Sequence, residues 1–143
     1  MVHIIHAVHG GDILFNVDIS SSTPIYEQIV DSVKEGILKG LIEPGEKLPS
    51  VRELAKMMTL NPNTVQKAYQ ELERQKVTIT LRGKGTYVST DYKPRKDEDK
   101  LMEVKEMFKK GIVEAHYMGF TEEDIIEMIG ELLEELEGGR LND

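Results

Sequence analysis

Two helix-start signals lie close together in mid-chain, Ser50-Val51-Arg52-Glu53 and Asn61-Pro62-Asn63-Thr64, leaving room for one short helix and a tight turn between them. Serine ahead of glutamate at this spacing is a capping box, in which each side chain bonds the other's backbone amide. Asparagine before proline is a second start, because the asparagine side chain accepts from a free N–H and proline at the first helical position has none to satisfy. The first helix turns Leu54, Ala55 and Met58 inward before Thr59-Leu60, and the second carries Val65, Ala68, Tyr69 and Leu72 on one face. Asn63, Thr64, Gln66, Lys67 and Gln70 are left pointing outward. Two short helices about such a turn predict a helix-turn-helix.

Residues 77–88 predict a wing. Val77, Ile79 and Leu81 alternate with Thr78 and Thr80, and a second strand-prone run, Thr86 to Val88, comes after Arg82-Gly83-Lys84-Gly85. That is a hairpin with glycines for the turn and a basic tip. Upstream, Ile13 to Ile19 reads as a strand with Ile13, Phe15, Val17 and Ile19 on one side. Thr23-Pro24 is expected to cap and open a helix with Ile25, Ile29, Val33 and Ile37 inward, ending at Gly40. Residues 1–12 show no clear period and end in Gly10-Gly11, so they read as a loosely ordered extension or an unusual start. The predicted architecture is α+β: a winged helix-turn-helix domain over 13–90, a linker at 91–96 containing Pro94, and a helical dimerisation tail over 97–143.

Charge divides along the same lines. Residues 1–96 hold 13 Lys+Arg against 11 Asp+Glu, whereas 97–143 hold 5 against 15. Within 47–96 there are 11 basic and 4 acidic side chains, a local field that attracts a phosphate backbone. The acidic tail is expected to face away from it. There is no cysteine, which excludes disulfides, thiolate metal sites and cysteine nucleophiles. No apolar run reaches the ~20 residues of a membrane span, and the start lacks the basic and apolar stretches of a secretion signal, so a cytoplasmic location is expected.

A major groove ~12 Å wide admits one helix, and side-chain amides, hydroxyls and amines on its outer face bond base edges or phosphates. Asn63, Thr64 and Gln66 are the residues expected to read bases, and Arg52, Lys67, Arg82 and Lys84 to attract phosphates. A solvated helix face would also be polar, but the basic hairpin beside it favours a nucleic-acid surface. An enzyme finds little support: there is no nucleophile with its base at motif spacing, and Gly83-Lys84-Gly85 sits in a hairpin, not before a helix. His3, His6 and His9 would share a side of a helix, but nothing nearby caps one, so no metal or other cofactor is expected.

Three stretches together resemble the GntR family, and within it the YtrA-like subfamily: Leu48-Pro49-Ser50-Val51-Arg52-Glu53-Leu54-Ala55, Asn61-Pro62-Asn63-Thr64-Val65 and Arg82-Gly83-Lys84-Gly85-Thr86-Tyr87-Val88. The similarity runs from about residue 13 to 137. It implies a homodimeric repressor of a transporter operon, bound to double-stranded operator DNA and responsive to a small-molecule effector. By the same resemblance Ser50, Arg52, Asn61, Asn63, Thr64 and Gln66 match contact positions, and Gly83 the wing-tip glycine. The chain departs from the family pattern at Pro62 and Gln66, where arginine is frequent, and at Lys76, where glycine is common; the last bears on the turn into the wing.

The tail reads as two amphipathic helices. The first starts near Asp97, carries Leu101, Val104, Phe108, Ile112 and Ala115 inward and stops at Gly119. The second is capped by Thr121 with Asp124 in the reciprocal position, and bears Ile125, Ile126, Ile129, Leu132, Leu133 and Leu136. Two such helices bury too little in each other, so a second copy is the expected cover, with the dimerisation residues Leu101, Val104, Phe108, Ile112, Ile125, Ile129, Leu132, Leu133 and Leu136. Recognition helices of the dimer would then meet successive major grooves, with half-sites roughly 34 Å apart. The competing expectation is a winged-helix adaptor that binds protein through the acidic tail.

Overall fold

The computed structural model describes residues 4–9, 12–91 and 97–138, with the backbone path alone for 4–9 and 12–14. In chain order the elements are β1 (Ile4–His9), β2 (Asp12–Asp18), α1 (Ile25–Leu38), α2 (Val51–Met58), α3 (Pro62–Arg74), β3 (Thr78–Leu81), β4 (Gly85–Val88), α4 (Glu98–Tyr117) and α5 (Glu122–Glu137). They form two compact units that divide between Tyr92 and Lys93, the first holding β1 to β4 with α1 to α3 and the second α4 with α5. The class is α+β, a winged helix-turn-helix with a helical tail. The expected linker falls largely on 92–96, outside the described residues.

The start of the chain corrects the expectation of a loose extension. β1 pairs antiparallel with β2, with a register shift between Ala7 and Val8. A bulge at that point breaks the two-residue alternation by which a strand is recognised in sequence. His6 and His9 therefore lie on a strand, not a helix. In β2, Phe15 and Val17 are buried as expected, but the strand stops at Asp18 and Ile19 is exposed. Asp18 makes the stop by accepting from Ser20 N at 2.9 Å and Ser20 Oγ at 2.6 Å.

Thr23 does not cap α1; the cap position is Pro24, with no side-chain bond. Gln28 closes this junction instead. Its Oε1 accepts from Asp18 N at 2.8 Å, and its Nε2 donates to Asp18 O at 3.0 Å and to Thr23 O at 2.8 Å. Strand end and helix start are thus tied by one side chain. Ile29, Val30 and Val33 then bury against Phe15 and Val17 and against the inner faces of α2 and α3.

α2 and α3 end alike. In each, a residue just past the helix is left-handed (Thr59, φ 53; Lys76, φ 62), and the next amide turns back to a carbonyl of the last turn: Leu60 N to Ala55 O at 2.9 Å, Val77 N to Leu72 O at 3.0 Å. This is the Schellman arrangement, which glycine usually supplies. Lys76 therefore keeps a glycine-like turn into the wing, at a cost of about 1 kcal/mol.

The wing hairpin forms where expected and buries Thr78 rather than Ile79. Thr78 and Val88 are paired across the strands and buried, at 1% and 2% exposure, while Ile79 and Leu81 are each 43% exposed. Residues Gly45 to Leu48 add a third edge: Gly45 N donates to Val88 O, Val88 N to Glu46 O and Leu48 N to Thr86 O, each at 2.9 Å.

In the tail, Asp97 caps α4 by accepting from the amides of Asp99 and Lys100. Gly119 (φ 90) ends it, and Thr121 with Asp124 forms the complete capping box of α5. Those bonds, the Thr121 amide first, hold the Asp124 carboxyl below its ordinary value. Of the α4 residues expected inward, only Ala115 is buried within the chain.

Thr78 Oγ1 is buried without a hydrogen-bond partner. Thr78→Val keeps the shape and removes that stranded hydroxyl, so unfolding in urea should require about 1 kcal/mol more than for the parent chain. No gain would mean that the hydroxyl is satisfied in solution.

Candidate nucleic-acid interface

The position of α3 is fixed from beneath. Val65, Ala68, Tyr69 and Leu72 are buried, and the Tyr69 hydroxyl donates to Pro49 O at 2.6 Å. One buried phenol thus joins the middle of α3 to the loop that leads into α2. Burial first, and the charge of Glu53 second, push its ionisation well above the ordinary tyrosine range, so it remains a donor at all physiological pH.

The outer surface of α3 carries the residues expected to read bases. Asn63, Gln66 and Gln70 are exposed and Thr64 is half-buried. Asn61 and Ser50 are also exposed, but their oxygens serve as caps: Asn61 Oδ1 accepts from Asn63 N at 2.9 Å, and Ser50 Oγ accepts from Glu53 N at 3.1 Å. Only the serine half of the expected capping box is formed at α2, among the described residues. Each of these side chains still offers a donor outward, an amide NH₂ and a hydroxyl O–H, the polarity that suits a phosphate oxygen. Two helix N-termini, with their own positive ends, stand beside them.

The same unit exposes three cations. Arg52 is exposed on the first turn of α2, and Arg82 and Lys84 are exposed at the hairpin tip, where Gly83 takes φ 75 and Gly85 φ 116. Tyr87 closes the tip, its hydroxyl donating to Lys84 O at 3.2 Å. Sequence reasoning missed a fourth. Lys47 belongs to the added edge of the wing and lies across Gly85, so close that a Cβ there would stand 2.8 Å from Lys47 Cε. Gly85 is thus required by its backbone angle, and any side chain there would also displace the end of Lys47. Arg52, Lys47, Arg82 and Lys84 make no ion pair among the described residues, which leaves their charge available to a polyanion.

Lys67 is different. Its ammonium sits 4.1 Å from the centre of the Tyr26 ring, and the Tyr26 hydroxyl donates to Glu27 Oε1 at 3.1 Å. That hydrogen bond, more than burial, raises the Tyr26 ionisation. The lysine expected to attract phosphates thus rests over a ring of α1 while remaining exposed. Replacing Lys67 by Met and Tyr26 by Leu, singly and together, should reveal a small favourable coupling in urea unfolding. Strict additivity would mean that the ammonium leaves the ring in solution.

Residues 25–88, from α1 to the end of the wing, match the family model described as bacterial regulatory proteins, gntR family. The chain is 50% identical over 130 residues to the HTH-type transcriptional repressor YtrA of Bacillus subtilis (strain 168), an alignment covering 91% of this chain and 100% of that protein. It is 41% identical over 111 residues to the uncharacterized HTH-type transcriptional regulator YhcF of the same organism, covering 76% and 89%. A crystal structure described as a transcriptional antiterminator from Listeria monocytogenes EGD-e superposes with a TM-score of 0.76 at 42% identity, covering 85% of this chain and 91% of that one. The helix-turn-helix, its wing and the extent of these likenesses agree: the chain belongs to the gntR family of bacterial regulatory proteins and is a DNA-binding transcription regulator.

Proposed function

We propose that the chain is a cytoplasmic, homodimeric and sequence-specific repressor of a transporter operon. The observation that carries this reading is the joint exposure, on one domain, of an uncommitted polar helix face and unpaired cations around it. α3 enters the major groove with Asn63, Thr64 and Gln66 toward the bases, while Arg52, Lys67, Arg82 and Lys84, with Lys47 added to them, neutralise phosphates. Ser50 and Asn61 donate to the backbone from the caps, and Gly83 lets the wing tip approach closely. The reader domain occupies 13–90, with the β1 strand added before it. The tail over 97–143 joins two copies through Leu101, Val104, Phe108, Ile112, Ile125, Ile129, Leu132, Leu133 and Leu136. Repression has the support of the name of the B. subtilis relative. The transporter operon and control by a small-molecule effector rest on the family resemblance alone.

The test is the salt dependence of binding to a mixed-sequence duplex, monitored by fluorescence anisotropy. Affinity should fall steeply with salt as neutralised phosphates release counterions, with a log–log slope near –0.9 per contact. Arg52→Ala combined with Lys84→Ala should lessen that slope by about 2. Binding that ignored salt, or a double variant with the parent slope, would remove the contact model.

A further inference from the structure

The outward face of α3 has a chemical bias that bears on which bases it reads. From Pro62 to Gln70 its exposed side chains are Pro62, Asn63, Gln66, Lys67 and Gln70. Asn63, Gln66 and Gln70 are carboxamides, spaced by three and four residues and so aligned on the side away from the buried Val65, Ala68, Tyr69 and Leu72. Asn63 is engaged only through its backbone amide, and among the described residues no hydrogen bond uses any of these carboxamides.

The charges of the same helix are placed elsewhere. Arg74 is bound by Glu71 through two bonds, Nε to Oε2 at 2.9 Å and Nη2 to Oε1 at 2.6 Å. Lys67 holds its ammonium 4.1 Å from the centre of the Tyr26 ring, on the side of α3 next to α1. Glu71 and Glu73 lie in the last turn, where carboxylates repel a phosphate backbone, so the reading segment ends at Gln70.

Base edges distinguish these groups. Guanine shows the major groove two acceptors, N7 and O6, which the fork of an arginine satisfies with two donors. Adenine shows an acceptor, N7, beside a donor, its N6 amine. A carboxamide carries one acceptor and an N–H donor side by side, so both bonds form on adenine, whereas on guanine its oxygen would face a second acceptor. A good pair of this kind discriminates against the wrong base by roughly five- to 150-fold. Pro62, exposed ahead of Asn63 and without an N–H, adds an apolar surface of the kind that packs on the thymine methyl. Asn63 and Gln70 stand about 10 Å apart along the helix, and base pairs follow one another at roughly 3.4 Å.

Resting on the reading that α3 enters the major groove, we propose that this helix is an adenine reader: beneath it each half-site carries a run of about three A·T pairs, with Asn63, Gln66 and Gln70 each bonding one adenine edge. Gln70 is thereby the specificity residue at the end of the run. Any guanine in the half-site lies outside the run and is left to arginines that α3 does not carry.

The test measures binding of the full chain to an array of duplexes that holds every short sequence, for the parent, Gln70→Ala and Gln66→Arg, with circular dichroism reporting that each is folded. The parent should favour A·T over G·C at least about fivefold at adjacent positions of its preferred half-site. Gln70→Ala should relax that preference at one end of the run alone, and Gln66→Arg should turn one A·T position within it to guanine. On the preferred duplex, 7-deazaadenine in the run keeps the base pairs but removes N7, and should weaken binding at least about threefold by anisotropy. G·C pairs at the positions that the two variants alter, or a run indifferent to 7-deazaadenine, would overturn the adenine assignment and leave the repressor reading intact. Base preferences that neither variant moves would overturn the assignment to these side chains. Equal binding to every duplex would overturn the sequence-specific reading itself.

Discussion

Tyr69 sets the geometry on which the reading surface depends. Its ring is buried in the face that α3 turns to the core, and its hydroxyl spans to the carbonyl of Pro49, one residue before the cap of α2. A buried phenol left without an acceptor would cost a few kcal/mol, so this bond fixes the register between the two helices. The turn between them is fixed in the same manner, by a left-handed Thr59 and the amide of Leu60 returned to Ala55. With the inner faces of both helices settled by Leu54, Ala55, Met58, Val65 and Leu72, the outer face of α3 has no role in the core. That freedom allows polar residues there to be chosen for a ligand.

The wing and the loop before α2 form one electrostatic unit. Residues Gly45 to Leu48 bond along β4, so Lys47 is carried to the hairpin and laid across Gly85. The cations of the loop and of the hairpin are thus brought together, although they are far apart in sequence. A net charge of –8 for the chain conceals this, because the acids are concentrated in the tail. For attraction to a polyanion the local distribution matters, since charges beyond a Debye length of about 8–10 Å are largely screened.

The helices were legible in the sequence because their starts are written in local chemistry. Ser50, Asn61, Asp97 and Thr121 each accept backbone amides within the first turn, and such bonds need nothing from distant residues. The strands were less so. In β1 a register shift interrupts the alternation, and in β3 both faces of the hairpin are strand formers, so propensity does not choose between Thr78 and Ile79. The choice is made by the left-handed turn at Lys76, which sets the phase of the next strand. Lys47 escaped for a similar reason: what its side chain lies across, Gly85, is remote in the chain. The identity of the outward polar residues was readable, and their engagement was not.

The most direct measurement of the central claim, that a polar helix and its cationic wing are offered together and twice to DNA, is selection of bound sequences from random duplexes by the full-length chain. The account predicts an inverted repeat whose half-sites are centred roughly one helical turn apart, each read by one α3. Recovery of no enriched sequence, or of a single half-site with no symmetry mate, would contradict it.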